Sequence, residues 1–302
     1  AGMVAERFDI SRKLARRDVV RAVSEWKSLG LLGATPIQTV EDPFDAVSEQ
    51  DAELDTRRLP YSSSCWQERH YRLLDARLRI RYPCENAATL THPIFAHLET
   101  CLDDGQKVDE VVFDIAEDEG GYVLLRDGVQ VSNRVAIPEL ASIIQRQALI
   151  LAYESSDCLV AVHAAAVRNG QKGVLLPGTT GSGKSTLTAA LIGSGFTYLT
   201  DELTLLMPEA YRIRPAPVSL GLKRGSWPFL ITVHSSLDML PIHLQEDKEV
   251  RYLPPPDNLL HNQHLYSIEY IVFPKYQMGK PTSLKRLGTA KALYRIAEAG
   301  YA

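Results

Sequence analysis

The chain has 302 residues, 45% of them hydrophobic, and a formal net charge of -4. That is enough apolar material for one large domain or two of ordinary size, with no global positive field to recruit nucleic acid or an anionic membrane. The longest apolar runs, such as CLVAVHAAAV at 158–167, fall well short of the roughly 20 residues a membrane span requires.

No segment reads as a secretory signal, and Ala1-Gly2 before Met3 reads as a remnant of tag removal. Cys65, Cys84, Cys101 and Cys158 lie far apart without a C-x-x-C pair. Neither a zinc site nor a disulfide framework is indicated, and a cytoplasmic location is expected.

In chain order, SRKLARRDVVRAVSEWKSLG at 11–30 has Leu14, Val19, Val23, Trp26 and Leu29 near helical spacing, with Ser11 as cap and Gly30 as stop. Residues 35–60 are acidic and turn-rich and read as a linker or long loop. Alternating patterns over 65–82 and 111–135 predict antiparallel strands, with Asp127-Gly128 as a hairpin turn. A helix is expected over 138–153. Next come a strand at 158–167, a turn at 168–172, a strand at 173–177, a glycine-rich loop, a helix to Gly193 and a strand at 196–200. Proline clusters over 212–230 and 250–262 read as loops at the sheet's edge, followed by the strand IEYIVFP and a basic helix from Thr289. The pairs His92/His97 and His261/His264 lack a convincing ligand set, so no structural metal is assigned. The lysines and arginines of the first and last helices read as solvated faces.

Gly178, Thr179, Thr180, Gly181, Ser182, Gly183, Lys184 and Ser185 satisfy G-x-x-x-x-G-K-[ST], with Thr186 following. Glycines let backbone amides turn toward phosphate oxygens, Lys184 reaches the β and γ phosphates, and Ser185 offers a hydroxyl to Mg²⁺. The apolar strand before the loop and the helix after it are the context this motif needs; the following helix adds a positive N-terminal dipole. Asp201 and Glu202 close the next strand, sixteen positions after Ser185. If that strand lies directly beside the cradle strand, both acids emerge where a γ phosphate would sit, one to hold Mg²⁺ and one to receive a proton. His163 lies upstream on an apolar strand, sharing a face with Ala161 and Ala165; the alternative is a satisfied core histidine.

The segments VHAAAV, GVLLPGTTGSGKST and YLTDE resemble the core of HPr kinase/phosphorylase and its HPr-kinase-like relatives, which share a nucleotide-binding fold with phosphoenolpyruvate carboxykinases. The resemblance covers roughly residues 158–230. It implies an α/β P-loop nucleotide-binding domain at 156–302, preceded by an α+β region with antiparallel strands at 1–155. It also implies ATP and Mg²⁺ as cofactors, Asp201 as general base toward a serine hydroxyl, and Glu202, with Ser185 and Asp201, at the metal. By the same resemblance His163 stands near the metal and γ phosphate, and a cation at Arg224 or its neighbour Lys223 supports transfer. The chain departs from the family at Thr179 and Thr186, where HPr kinase carries acids, and in having Asp-Glu rather than two aspartates. The departures favour a peptide or protein acceptor other than HPr.

The expected function is therefore an ATP-dependent phosphotransferase acting on a serine or threonine hydroxyl. Its rival is a nucleotide-gated binding module or ATPase with no covalent acceptor. A homo-oligomer is compatible with this composition.

Overall fold

The computed structural model describes residues 65–100, 110–255, 264–277, 279 and 281–299. The helix expected over 11–30, the linker over 35–60, His261 and the end of the loop expected over 250–262 lie outside these residues. The architecture is mixed α/β with several sheets. Among the described residues no helix is long and apolar enough to cross a membrane.

The first sheet has the order β1-β2-β3-β4-β5, built from β1 (Gln67–Leu73), β2 (Ala76–Tyr82), β3 (Val111–Asp118), β4 (Gly121–Arg126) and β5 (Val129–Gln130). In β2 the period of two is complete: Ala76, Leu78, Ile80 and Tyr82 are buried, while Arg77, Arg79 and Arg81 take the other face. Asp127-Gly128 makes the expected tight turn between antiparallel β4 and β5. β2 and β3, however, pair in parallel, because the chain between them crosses over through a helix, α1 (Glu85–Phe95). That helix was not expected, because its Pro93 and central threonines mask its periodicity.

Helix α2 (Ile137–Glu154) matches the expected 138–153. Pro138 is tolerated in the first turn, and Glu139 Oε2 accepts from the Ala136 N–H at 2.9 Å, closing the helix start. Leu140, Ala141, Ile144, Ala148, Leu151 and Ala152 join the buried face of the first sheet in one core. That same core takes in Leu203, Leu205, Ala216, Val218, Val250 and Tyr252. The division at 155/156 therefore does not separate two cores. Polar ties reinforce the join: Ser219 Oγ donates to Ile94 O at 2.6 Å, Gln145 Nε2 to Ser219 O at 3.0 Å, and Arg214 pairs with Asp75.

The strand expected over 158–167 is two strands, β6 (Val160–Val162) and β7 (Ala164–Asn169), broken by a bend at His163. The break lets the chain serve two sheets. One has the order β11-β10-β6, with β10 (Thr204–Leu206) and β11 (Ile213–Arg214). The other has the order β15-β8-β7-β9, with β8 (Lys172–Pro177), β9 (Thr197–Thr200) and β15 (Ser267–Ile271). A small third sheet, β12-β14-β13, uses β12 (Leu220–Lys223), β13 (His243–Gln245) and β14 (Lys248–Leu253). β12, most of β14 and the short α4 (Trp227–Leu230) occupy stretches expected to be loops, and β13 lies between those stretches, where no element was expected. Buried apolar side chains, Leu220 and Leu222 against Leu253, outweigh the local proline signals. Helix α5 (Thr289–Ala299) starts where expected.

Because one core spans both halves, they unfold together. In a background with Trp26 and Trp66 replaced by phenylalanine, so that Trp227 alone reports, Phe113→Ala, which empties a fully buried site in β3, lowers stability by about 3–5 kcal/mol. It shifts the Trp227 fluorescence transition and the circular dichroism transition equally; a stationary Trp227 transition would show two independent domains.

Candidate functional site

The glycine-rich loop leaves the end of β8 and enters α3 (Lys184–Gly193). Gly181 and Gly183 have φ of +84° and +96°, a region that L side chains rarely adopt. A Cβ on Gly178 would lie 2.6 Å from Ser182 Oγ, so a side chain at that position would force Ser182 to move. The loop is closed by the Ser182 N–H donating to Thr179 O at 3.1 Å. Lys184 is buried, and its Nζ donates to Gly178 O at 2.8 Å, which places the ammonium at the loop's mouth. Thr179, Thr180 and Gly181 are exposed. The first amides of α3 lack intrahelical partners by helix geometry and add their dipole there.

β9 does not lie beside β8, contrary to the simplest topology: β7 runs between them, antiparallel to both. Two reversals restore the direction, so β8 and β9 point the same way and their carboxyl ends share an edge. The parallel neighbour of β8 is instead β15. The consequence expected for the acids survives this correction. Ser185 Oγ, on the first turn of α3, donates to Asp201 Oδ2 at 3.0 Å.

Asp201 and Glu202 occupy a sharp turn. The Leu203 N–H donates to Asp201 O at 2.8 Å, closing a three-residue γ-turn, and Glu202 at its centre has φ of +67°. A γ-turn of that hand is rare and strained. Buried threonines strap it: Thr200 Oγ1 donates to Leu203 O at 2.8 Å, and Thr204 Oγ1 to Ala164 O at 2.9 Å. Opposite stands His163 at the bend between β6 and β7, with Nε2 3.0 Å from Glu202 Oε2. His163 is therefore a buried partner of the acid pair, held where two sheets diverge, rather than a side chain within one continuous strand. Neither Thr200 nor Thr204 was among the expected site residues; their one signal in the sequence is a threonine on each side of an acid pair.

Electrostatics separate the two acids. Asp201 is fully buried, and its carboxyl is pushed up to about 7 by loss of solvent and then by the charge of Glu202, against the pull of Lys184 and Ser185. For Glu202 desolvation also opposes ionisation. The His163 hydrogen bond and charge, with Lys184 and Lys223 behind them, outweigh it and hold this carboxyl down. The Glu202 side chain is 41% exposed, so water shares in keeping it charged. Arg224 is spent elsewhere: mostly exposed, it forms an ion pair with Glu249. The cation whose charge is felt at Glu202 is its neighbour Lys223, at the end of β12.

The donor set fits a divalent cation next to a phosphate. Among the described residues Asp201 Oδ1 and Ser182 Oγ are buried without a hydrogen-bond partner, a costly condition that a bound ligand relieves. Ser185 Oγ and the two carboxylates are hard oxygen ligands of the kind Mg²⁺ takes, leaving its other positions to water and substrate oxygens. Compared with known proteins, the chain matches no family model, no curated protein and no solved structure.

Burial of Asp201 makes stability depend on pH with a defined sign. The native carboxyl binds a proton more readily than the unfolded one, so stability declines as pH rises between 3.8 and about 7. Asp201→Asn cannot ionise and escapes this penalty. In urea titrations it is more stable than wild type at about pH 8, and the gain fades toward about pH 4. A gain of equal size at both ends would show that charge is not its origin.

Proposed function

We propose that the protein is an ATP-dependent phosphotransferase that moves the γ-phosphoryl group to a serine or threonine hydroxyl of a peptide or protein. The observation that carries this reading is the bond between Ser185 on the cradle helix and a buried Asp201 whose second oxygen has no partner among the described residues. It couples a phosphate-binding loop to a carboxyl tuned near neutrality, where a general base works best. Residues 178–186 hold the triphosphate, with Lys184 against the β and γ phosphates. Ser185, Asp201 and Glu202 are the residues that would hold Mg²⁺, which neutralises phosphate charge when bound. Asp201 Oδ1 accepts the acceptor's hydroxyl proton as that oxygen bonds to the γ phosphorus; the bond to the β–γ bridging oxygen breaks, and its electron pair leaves with ADP. His163 keeps Glu202 oriented and ionised. Lys223, ahead of Arg224, supplies positive charge toward the transferring group.

The strand-loop-helix order and the acids that follow support an HPr-kinase-like P-loop reading. A cytoplasmic setting, where ATP is abundant, belongs to the same proposal. The first sheet, welded to the site by a common core, is the natural surface for acceptor recognition.

Asp201→Asn lowers transfer by about 10²–10⁴-fold, while magnesium-free ATP still binds with nearly wild-type affinity. Lys184→Ala weakens ATP binding itself. With γ-phosphate-labelled ATP and the products of neighbouring genes, label appears covalently on one serine or threonine. Label released only as free phosphate would favour a nucleotide-gated module, and near wild-type transfer by the asparagine variant would remove Asp201 as base.

A further inference from the structure

Beyond β15 the chain returns to the cradle. The Val272 N–H donates to Leu175 O at 2.9 Å, extending the contact with β8, and four residues later the Tyr276 N–H donates to Ser182 O at 3.0 Å, inside the glycine-rich loop. Pro274 lies between these anchors and fixes its own φ. Arg295 of α5 lies over the Phe273 ring at 5.9 Å. The segment is thus pinned at both ends and stiffened in the middle. It places Tyr276 directly on the loop, and a Cβ on Gly183 would come within 3.3 Å of Tyr276 Cβ. Gly183 therefore serves twice, by its positive φ and by making room for this approach.

The Tyr276 side chain is itself 72% exposed. Isolated exposed aromatics are ordinary, but this one has its backbone locked to a phosphate cradle while its ring packs into no core. We propose that Tyr276 is the stacking platform for the nucleobase of the bound nucleotide. The inference rests on the nucleotide reading of the cradle and adds what that reading lacks, a contact for the end of the nucleotide remote from the phosphates. A π face discriminates weakly among bases. The site so built takes nucleoside triphosphates as a class, with little preference for the base.

The test compares three probes by calorimetry, each as its magnesium complex: ATP, GTP and inorganic tripolyphosphate, which carries the phosphates without a base. Tyr276→Ala is expected to weaken ATP and GTP by the same factor, about 5-fold to 100-fold, and to leave tripolyphosphate within about 2-fold, well below the stacking effect. Tyr276→Phe retains wild-type affinity for all three. If Tyr276→Ala weakens tripolyphosphate as much as ATP, the residue merely shapes the loop and the stacking role is overturned. The same holds if ATP binding is unchanged, or if wild type binds ATP no better than tripolyphosphate. If wild type binds neither ATP nor tripolyphosphate, the cradle reading itself fails.

Discussion

Everything at this site depends on keeping one carboxyl, that of Asp201, fully out of water while its neighbour stays charged. Burying an ionisable group without complete pairing is expensive, and here Oδ2 accepts from the hydroxyl of Ser185 while Oδ1 has no partner among the described residues. The carboxyl of Glu202, one residue away, raises the cost by repulsion. Such a group persists only where the surroundings over-determine it. The γ-turn does this by aiming the two side chains differently, at a backbone cost on the order of 1–3 kcal/mol for its left-handed residue. The Thr200 and Thr204 hydroxyls hold the turn shut from beneath.

The divergence of two sheets at His163 follows from the same need. If β6 and β7 were one strand, the histidine would project as an ordinary member of a single sheet face. The bend sends β6 to pair with β10, the strand that leaves the acid turn, and β7 to pair with β9, the strand that enters it. Both flanks of the turn are thereby hydrogen-bonded to both flanks of His163. The 3.0 Å contact between His163 and Glu202 is a consequence of register. The first sheet and α2 then add bulk: Leu203 and Leu205, either side of Thr204, belong to their core. Site and scaffold thus meet in that core, while Ala164 and Leu199 tie the site to a second apolar cluster.

Local patterns were readable where one principle acted alone. The β2 alternation, the Asp127-Gly128 turn, the α2 periodicity and the cradle each reflect constraints within a short window of chain. What escaped depended on distant contacts. The order β15-β8-β7-β9 was hidden because nothing in β7 announces that it separates β8 from β9. The third sheet was hidden because its apolar residues are interrupted by prolines and glycines whose local signal points to loops. At the site, the spacing identified Ser185, Asp201 and Glu202 as a group, and the structure joins them. It could not distinguish Lys223 from Arg224, since that depends on Glu249, which sits on another strand and captures the arginine. Tyr276 was invisible for a similar reason: its place on the loop comes from a backbone bond across more than ninety residues.

The central claim is that Asp201 is a buried, protonation-poised carboxyl coupled to a phosphate cradle. The most direct measurement is a carbon-detected NMR titration of protein with labelled aspartate side chains, with Asp201→Asn used for assignment, before and after adding magnesium and a nonhydrolysable ATP analogue. The account predicts a titration near 7 in the free protein and a marked fall once cation and phosphates are in place. A free-protein titration near the ordinary aspartate value of 3.8, unmoved by the nucleotide, would contradict it.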